Sequence, residues 1–562
     1  MVSNYKWWQK AVFYQIYPRS FADGNGDGIG DFKGMIEKLD YLQELGVDAV
    51  WLSPHFPSPY VDCGYDISDY ENVAPEYGNL DDFKTFLDGL HARGMRLILD
   101  LVLNHTSDMH AWFMESRSSK NNPKRDWYIW KPGKGGNPPT NWYSTFGGSA
   151  WEYDPTTDEY YYHFFFKEQP DLNWNNPHVK EAMFNAARFW LDMGVDGFRL
   201  DAVGTIFEDE RYLDHQAKFS QNELLQKEHT AKTDEERKLV MEQWEETFRY
   251  QHDLPGVHQI MRELRQVMDE YEDRVLVGET EEISFYGNGS DEIHLNFNFP
   301  MMRVDRLSAD HVKANQQYRL SHLPGGAWPC NTLGNHDCAR MLNQFGDGIH
   351  NDAIARQNLV LLLTLKGTPF LYYGEEIGMS DHYLNDVSLF RDTLALPRYA
   401  IARDLMHLSE QEAVAVAAQQ GRDKCRTPMQ WAGDANGGFT PVGVTPWLPV
   451  APNAGQGINV ADEQQDDESM LAFYKRLIAF RKAHMVLQTG EFVLDENTPS
   501  SLVKYERSSG AEKITVVLNM SAESAQIQNE GYKEILFSAN TELKQLNPQT
   551  IQLDPFAALL LK

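Results

Sequence analysis

Short apolar runs recur along this chain, and four of them end in polar motifs: Asp100-Leu-Val-Leu-Asn104-His105, Gly197-Phe-Arg199-Leu-Asp201, Val277-Gly-Glu279 and Asn335-His336-Asp337. Runs of this length without polar alternation read as strands buried on both faces. Burial on both faces is the condition of a parallel sheet covered by helices, and in such sheets ligands bind at the carboxyl ends of the strands. The pattern therefore constrains the fold to the α/β class and says where along each strand to look for chemistry.

The order of elements sharpens this. Strands are expected over 11–16, 47–52 and 96–103, with helices over 32–45 and 80–93 between them. Each helix is long enough for a right-handed crossover. From His105 to Pro170 the rhythm breaks into a stretch rich in glycine, proline and aromatic residues, including Tyr161-Tyr-His-Phe-Phe-Phe166. A structureless loop of that length is unusual, so a folded insertion is expected. The alternation then resumes, with helices over 179–191, 257–271 and 353–365. Further strands fall at 197–200, 275–277, 292–296, 330–333 and 369–373. About eight such units in one region are most simply closed into a (β/α)8 barrel. Past Met485 short alternating strands at 491–494, 502–507, 514–518, 533–536 and 551–554 indicate an antiparallel β-sandwich. The expected division is a barrel over 1–104 and 175–484, an inserted domain over 105–174 and a C-terminal domain over 485–562.

Composition narrows the partners. The 82 acidic residues outnumber the 51 basic ones, for a net charge of −31 over 562 residues. A surface so acidic repels nucleic acid and anionic membranes and suits a small neutral substrate. No apolar run approaches a membrane span, and residues 1–10 carry no export signal. The cysteines, Cys63, Cys330, Cys338 and Cys425, form no CxxC pair and read as free thiols. A cytoplasmic protein, monomeric or homodimeric, is the expectation. Three carboxylates at strand ends, with arginine and histidine beside them, point to glycosidic-bond chemistry.

The ordered motifs extend well beyond those four. Tyr14-Gln-Ile-Tyr-Pro-Arg-Ser-Phe, Gly64-Tyr-Asp66, Gln169-Pro-Asp-Leu-Asn173, Gly374-Glu-Glu-Ile-Gly and Arg422-Asp-Lys-Cys-Arg426-Thr-Pro-Met-Gln-Trp431 follow in sequence. Together they resemble the alpha-amylase superfamily of retaining glycoside hydrolases, in its alpha-glucosidase and oligo-1,6-glucosidase branch, over essentially the whole chain. The resemblance implies the barrel, the insertion after the third strand and the terminal sandwich reached above. It implies Asp201 as nucleophile, held ionised by Arg199, and Glu279 as general acid and base. Asp337 is implied as the third carboxylate, gripping ring hydroxyls. His105 and His336 are implied as neutral hydroxyl partners, Asp66 and Arg340 as a clamp on the 4- and 6-hydroxyls, and Tyr65 as a stacking support beside Asp100.

A second feature is Asp23-Gly-Asn25-Gly-Asp27-Gly-Ile29-Gly-Asp31. Alternating oxygen-bearing side chains and glycines suit a hard cation. An EF-hand would need a glutamate at the twelfth position, where this chain has Gly34. The resemblance implies a structural ion held by Asp23, Asn25, Asp27, Asp31 and the Ile29 carbonyl: calcium, with magnesium as the alternative.

The expected activity is exo-acting, retaining alpha-glucosidase action on short alpha-glucosides. Ala202, directly after the nucleophile, leaves room at the acceptor and favours alpha-1,4 linkages, since relatives with a 1,6 preference carry valine there. The alternatives are an oligo-1,6-glucosidase, a transglucosylase or a sugar isomerase on the same site. A non-catalytic, transporter-associated relative is more remote, because it would need a membrane anchor and no carboxylates.

Overall fold

The computed structural model describes residues 5–562. Residues 1–4, the start of the segment read as lacking an export signal, lie outside the described residues. The barrel strands are β1 (Phe13–Ile16), β2 (Ala49–Leu52) and β3 (Arg96–Val102), and, after an insertion carrying β4 (Trp130–Lys131), β5 (Trp151–Asp154) and β6 (Glu159–Tyr162), β7 (Gly197–Asp201), β8 (Val275–Gly278), β9 (Leu295–Asn296), β10 (Cys330–Thr332) and β11 (Thr368–Tyr372). Among the described residues they form an eight-stranded parallel sheet in the order β10-β11-β1-β2-β3-β7-β8-β9. This is the expected barrel, with its seam between β9 and β10. There the side-chain amide of Asn298, just after β9, donates to Asn331 of β10 at 3.2 Å.

Side chains on a strand alternate between faces, and the two faces have different work. Phe13, Trp51, Ile98, Val277, Phe297 and Phe370 share one apolar cluster. Their neighbours on the other parity, such as Tyr14, Val50, Leu99 and Leu200, join the larger core with the helices. Two residues further along the first parity stand Gln15, Ser53, Asp100 and Glu279. Register holds them together, with Asp100 level with Arg199 and Arg199 level with Val277. The interior is thus packed by apolar groups below and lined by polar groups at the strand ends.

The helices begin and end where capping chemistry dictates. Leu80–Ala92 starts at Asn79, whose side chain accepts from the backbone of Asp81 and Asp82. Pro177–Met193 has proline in its first turn and ends at Gly194, which takes a left-handed conformation, φ 111°. The helix expected over 32–45 is two, Phe32–Glu37 and Leu39–Leu45, because Lys38 leaves helical geometry (φ −103°, ψ 7°). Its ammonium lies over the Trp431 ring at 4.3 Å.

The insertion after β3 forms a three-stranded antiparallel sheet, ordered β4-β6-β5, over an aromatic core of Trp142, Trp151, Tyr162 and Phe164. Bridges from His105 to Asp171 and from Tyr128 to Leu172 tie it to the barrel rim. A second excursion, after β7, carries the helices Gln221–Thr230 and Asp234–Phe248, and a third carries Ala395–Asp404 and Glu410–Gln420. The apolar periodicity had shown none of these four.

The C-terminal strands are β12 (Glu491–Leu494), β13 (Leu502–Ser509), β14 (Glu512–Asn519), β15 (Ala525–Gln528), β16 (Ile535–Ala539), β17 (Thr550–Leu553) and β18 (Ala558–Leu561). Five make one antiparallel sheet, and β15 pairs with β17 in a second. Leu502, Val517, Leu559 and Leu561 face the space between the sheets. Their alternates Val503, Val516 and Leu560 join the main core of the barrel. At that junction Arg481 and Arg507 are both fully buried. Arg481 donates to the carbonyls of Leu363, Leu487 and Gly367, and Arg507 to those of Thr364, Leu487 and Gly490. Most of these carbonyls lie at helix C-termini, where partial negative charge favours a cation.

Arg481→Met should remove the guanidinium that donates to the buried carbonyls of Leu363 and Gly367, while Leu487 keeps Arg507, at a cost of about 2–4 kcal/mol. Thermal melting should show a lowered midpoint while activity per folded molecule stays unchanged. An unchanged midpoint would show that the guanidinium does not join barrel and sandwich.

Candidate active site

Polar residues at the strand ends converge on one guanidinium. Arg199 of β7 reaches Asp100 Oδ1 at 2.6 Å and Asp201 Oδ1 at 2.7 Å through Nη1, and Glu279 Oε2 at 2.7 Å through Nη2. Trp51 Nε1 donates to the other oxygen of Asp100 at 2.9 Å. Side-chain exposure rises from 0% at Asp100 to 11% at Asp201 and 21% at Glu279. Asp100 is therefore a support beneath the site, and Asp201 and Glu279 are the two a ligand can reach. Glu279 Oε2 also accepts from the backbone of Ala202 at 3.0 Å. That residue turns the chain away from β7 in the left-handed region, φ 43°. Burial pushes the Asp201 carboxyl well above the usual carboxylate range; Arg199 pulls it down, while Glu279 and Asp100 push it up. Burial likewise raises Asp100 to about 6, against the pull of Arg199. Three carboxylates around one cation resist losing their last proton.

Asp337 sits in the opposite electrostatic setting. Burial would raise its carboxyl, but the cations Arg426, Arg422 and Arg199 hold it well below the usual range. Arg426 Nη2 is 2.6 Å from its Oδ1 and His336 Nε2 is 3.3 Å from its Oδ2. Burial keeps the His336 imidazole neutral, well below its ordinary value. Its ring lies 2.7 Å from the Gln15 amide and 2.6 Å from the Tyr65 hydroxyl, and Tyr65 stacks on it at 10°. His105 is pushed down to about 4 by burial. It lies 2.9 Å from the Gln169 amide, which also donates to Asp62.

The structure does not bring Asp66 and Arg340 together as a clamp. Asp66 is fully buried and its carboxylate is already taken: Ser58 Oγ and the backbone of Val61 and Asp62 donate to it at 2.9, 2.9 and 3.0 Å. Arg340 lies against Tyr372 and Tyr373 and donates to the Tyr373 carbonyl. The charged pair at the site is instead Asp62 with Arg422, at 2.7 Å. Arg422 also binds Asp392 at 2.7 Å and lies 3.6 Å from Asp337. Both were visible in the sequence, Asp62 four residues before Asp66 and Arg422 at the head of its motif. Nothing in the residue pattern alone distinguished them from their neighbours.

A cleft of about 650 Å³ opens beside Glu279. Ala202, Glu279, Phe164, Phe165, Trp244 and Phe248 are among the residues that line it. The excursion after β7 thus supplies one wall.

The acidic loop after β1 lies apart from these groups. Asp23 accepts from the backbone of Asn25, Gly26 and Gly28, and from Thr440 Oγ1. Asp31 caps the helix Phe32–Glu37 through Gly34 N and also accepts from Gly24 and Asn25. Asp27 accepts from the Asn25 amide and from Ile29 N. Gly28, φ 93°, has no room for a Cβ, which would stand 2.3 Å from the Thr445 carbonyl. Burial raises the Asp31 carboxyl, and Asp23 adds to the rise. The side chains offer oxygen alone, the chemistry a hard cation takes, and their carboxylates here accept from the loop's own N–H groups.

The catalytic-domain pattern of the alpha-amylase family matches residues 15–490. The chain belongs to the alpha-amylase family. It is a glucoside-acting enzyme of the alpha-glucosidase and oligo-1,6-glucosidase branch. The oligo-1,6-glucosidase of Parageobacillus thermoglucosidasius is 41% identical over 92% of this chain and 90% of its own length. That of Bacillus cereus is 38% identical over 99% of both. The trehalulose synthase MutB of Pseudomonas mesoacidophila MX-45 superposes with a TM-score of 0.88 at 36% identity, covering 100% of both chains. A mutant of MutB has been solved in complex with the substrate sucrose.

These relatives correct the expected preference for alpha-1,4 exo-hydrolysis. They are 1,6-acting hydrolases and a sucrose-rearranging synthase, so the kinship favours what the sequence offered as alternatives. The argument from Ala202 fails for a physical reason. One small side chain changes discrimination by only about 1–3 kcal/mol, and Ala202 is one of many residues along a long cleft.

Asp62→Asn should raise KM for a short glucoside at least about tenfold with little change in melting temperature. Asp66→Ala should lower the melting temperature, by leaving Val61 N and Asp62 N without an acceptor at about 1–3 kcal/mol. Kinetics and melting curves of the two variants check this. A KM effect confined to Asp66→Ala would restore Asp66 as the clamp.

Proposed function

We propose that the chain is an oligo-1,6-glucosidase that removes the terminal glucosyl unit of short alpha-1,6-linked glucosides with retention of configuration. The observation that carries this is the joint grip of Arg199 on Asp201 and Glu279, beside a pocket end closed by Asp62 and Arg422. Two carboxylates on one guanidinium are compatible with the roughly 5–5.5 Å separation of a retaining pair. The linkage follows the relatives.

In this reading Arg199 orients Asp201 through Oδ1, and the second oxygen attacks the anomeric carbon. The bond to the leaving oxygen breaks as Glu279 gives that oxygen its proton, leaving a glycosyl-enzyme ester. Water then donates a proton to Glu279 and attacks the same carbon, expelling Asp201 as carboxylate. Asp337, held charged, accepts from ring hydroxyls that bind more strongly as the ring flattens. Neutral His105 and His336 stand beside them. Asp62 and Arg422 close the pocket to further sugar on that side, which confines cleavage to chain ends.

A second reading is rearrangement of sucrose, favoured by the full-length likeness to MutB. The two share the glycosyl-enzyme and differ in whether water or retained fructose attacks it. Chromatography of products from isomaltose, sucrose and maltose separates them. Glucose from isomaltose as the main activity supports the first reading; a sucrose isomer as the main product supports the second. All four cysteines are free thiols, which supports a cytoplasmic location. Among the described residues no helix is long and apolar enough to cross a membrane.

Asp201→Asn and Glu279→Gln should each lower turnover of isomaltose by at least about a thousandfold with unchanged circular dichroism. In the unmodified enzyme, proton magnetic resonance should show alpha-glucose as the first product. First release of the beta anomer, or near-normal rates in either variant, would remove the mechanism.

We further propose that the loop of Asp23, Asn25, Asp27 and Asp31 holds a structural calcium ion, with magnesium the other candidate. An ion bound only by the folded chain raises its stability by mass action. A strong chelator should lower the melting temperature, and added calcium should restore it. No shift after verified removal and return of the metal would dismiss the proposal.

A further inference from the structure

We infer that Gln15 fixes the tautomer of His336, so that the imidazole proton sits on Nε2 and faces Asp337. Gln15 is thereby a positioning residue for the glucosyl pocket, a role that rests on the reading of Asp337 and His336 as the groups that hold ring hydroxyls.

His336 is fully buried and closely held. Tyr65 and Tyr17 stack on its ring, at 10° and 23°, and Trp51 meets it edge-on. Arg426 Nε donates to its backbone carbonyl at 2.7 Å. Both ring nitrogens have polar neighbours. Nδ1 lies 2.7 Å from Gln15 Nε2, and Nε2 lies 2.6 Å from the Tyr65 hydroxyl and 3.3 Å from Asp337 Oδ2. A ring turned over would set carbons against these partners. The ring orientation is thus fixed, and only the place of the proton is open.

The neighbouring charge decides that place. A neutral imidazole carries one proton, and the partners of its two nitrogens determine which one holds it. Asp337 is ionised: Arg426 pairs with it at 2.6 Å, and the arginines around it hold its carboxyl low. A bare Nε2 would turn its lone pair toward that carboxylate. The proton therefore belongs on Nε2, and Nδ1 is bare. A bare Nδ1 needs a donor, and the end of β1 supplies the amide N–H of Gln15. Nε2–H then donates to the Tyr65 hydroxyl, whose own O–H is left to donate to Asp100 Oδ2 at 3.4 Å.

An unpaired atom marks the choice. Gln15 is 1% exposed, and its Nε2 also donates to Ser53 Oγ at 3.0 Å. Its Oε1 finds no donor among the described residues. Turned over, the amide could take the Ser53 O–H on Oε1, but it would then offer Nδ1 an acceptor. Leaving a buried carbonyl without a donor is costly. The fold accepts that cost where the amide must meet Nδ1 with N–H.

Neutron diffraction from crystals of the unmodified enzyme in heavy water should show deuterium on Nε2 of His336 and none on Nδ1. Deuterium on Nδ1 would overturn the inference. Two variants, checked for folding by circular dichroism, test the part played by Gln15. Gln15→Leu removes the donor and should lower kcat/KM at least about tenfold, by the same factor at every pH. Gln15→Glu sets a carboxylate against Nδ1. That pair draws the proton to Nδ1 and strips Nε2, so activity should fall further. One added proton, shared between the new carboxylate and Nδ1, returns Nε2–H. Relative to the unmodified enzyme, Gln15→Glu should therefore recover at least about tenfold on acidification through the titration of that pair. The groups that face the ring are Asp337, Arg199, Arg422, Arg426, Tyr17 and Tyr65, with Cys425 against its carbonyl. None of them changes charge near neutral pH, since Asp337 is held low and the phenols and the thiol are raised. Asp100 and Asp201 titrate in all three proteins and cancel in the ratio. A flat ratio in both variants would overturn the inference, because a packing defect has no titration of its own. Rates are taken on whichever of isomaltose and sucrose is turned over, since both reactions use the same glucosyl pocket. If neither is turned over and deuterium lies on Nε2, the proposed function falls and the tautomer stands. If isomaltose is cleaved and both ratios are flat, the role of Gln15 alone falls.

Discussion

One guanidinium organises this site. Arg199 contacts three carboxylates within 2.7 Å, and each comes from a different strand or strand end. That is possible because the barrel sets β3, β7 and β8 side by side in parallel, with Asp100 level with Arg199. It is tolerable because the cation offsets part of the cost of burying the acids. A neutral residue in its place would leave buried, mutually repelling carboxylates at the end of an apolar interior. The barrel and the arginine therefore depend on each other: packing below fixes the strand ends, and the ion cluster holds the rim.

The two halves of the site carry different charge states for the same reason. Around Arg199 acids outnumber cations, so the group resists full ionisation. Asp337 has Arg426 and Arg422 against it, and its carboxyl stays charged despite burial. A group that binds hydroxyls as an anion suits the second environment. The first comes from burial and the crowding of acids against a single arginine, and the second from where Arg422 and Arg426 stand.

Much of this was legible in the chain. Most of the eight barrel strands were visible because they are short apolar runs buried on both faces, whereas β9 and β10 are short and partly polar. Asp201 and Glu279 were visible because a polar residue ending such a run has one place to go. Other features were invisible to apolar periodicity. The helices Gln221–Thr230, Asp234–Phe248 and Glu410–Gln420 are polar on most faces, yet each is announced by a capping box: Ser220 with Glu223, Thr233 with Glu236, Ser409 with Glu412. Reading caps as well as periodicity would have found them. The central strand β18 escaped because its run, Ala558–Leu561, is buried on both faces and lacks the alternation sought in a sandwich. The misplacement of the clamp has another cause. Asp62 and Asp66 stand four apart in one loop, and only the folded backbone decides that Asp66 turns inward to hold the loop while Asp62 faces Arg422.

The two sides of the bond differ in how they are built, and this bears on what a sequence can say about specificity. The glucosyl pocket is made from strand ends and short turns, whose positions follow from the barrel. The cleft beside Glu279 is lined by the insertion after β3, the excursion after β7 and the segments after β8 and β9, the first two meeting through contacts such as Phe164 with Phe248. A change at one residue on that wall is worth about as much as a single methyl group, some 1–3 kcal/mol. Several such contacts act together, so their sum decides the linkage and no member of the set reveals it. The same pocket can then serve a 1,6-hydrolase or a sucrose-rearranging synthase, according to how the cleft admits water and how long it keeps the departing sugar. Chemistry in this chain is therefore set by the barrel, and choice of substrate by the segments that the barrel carries.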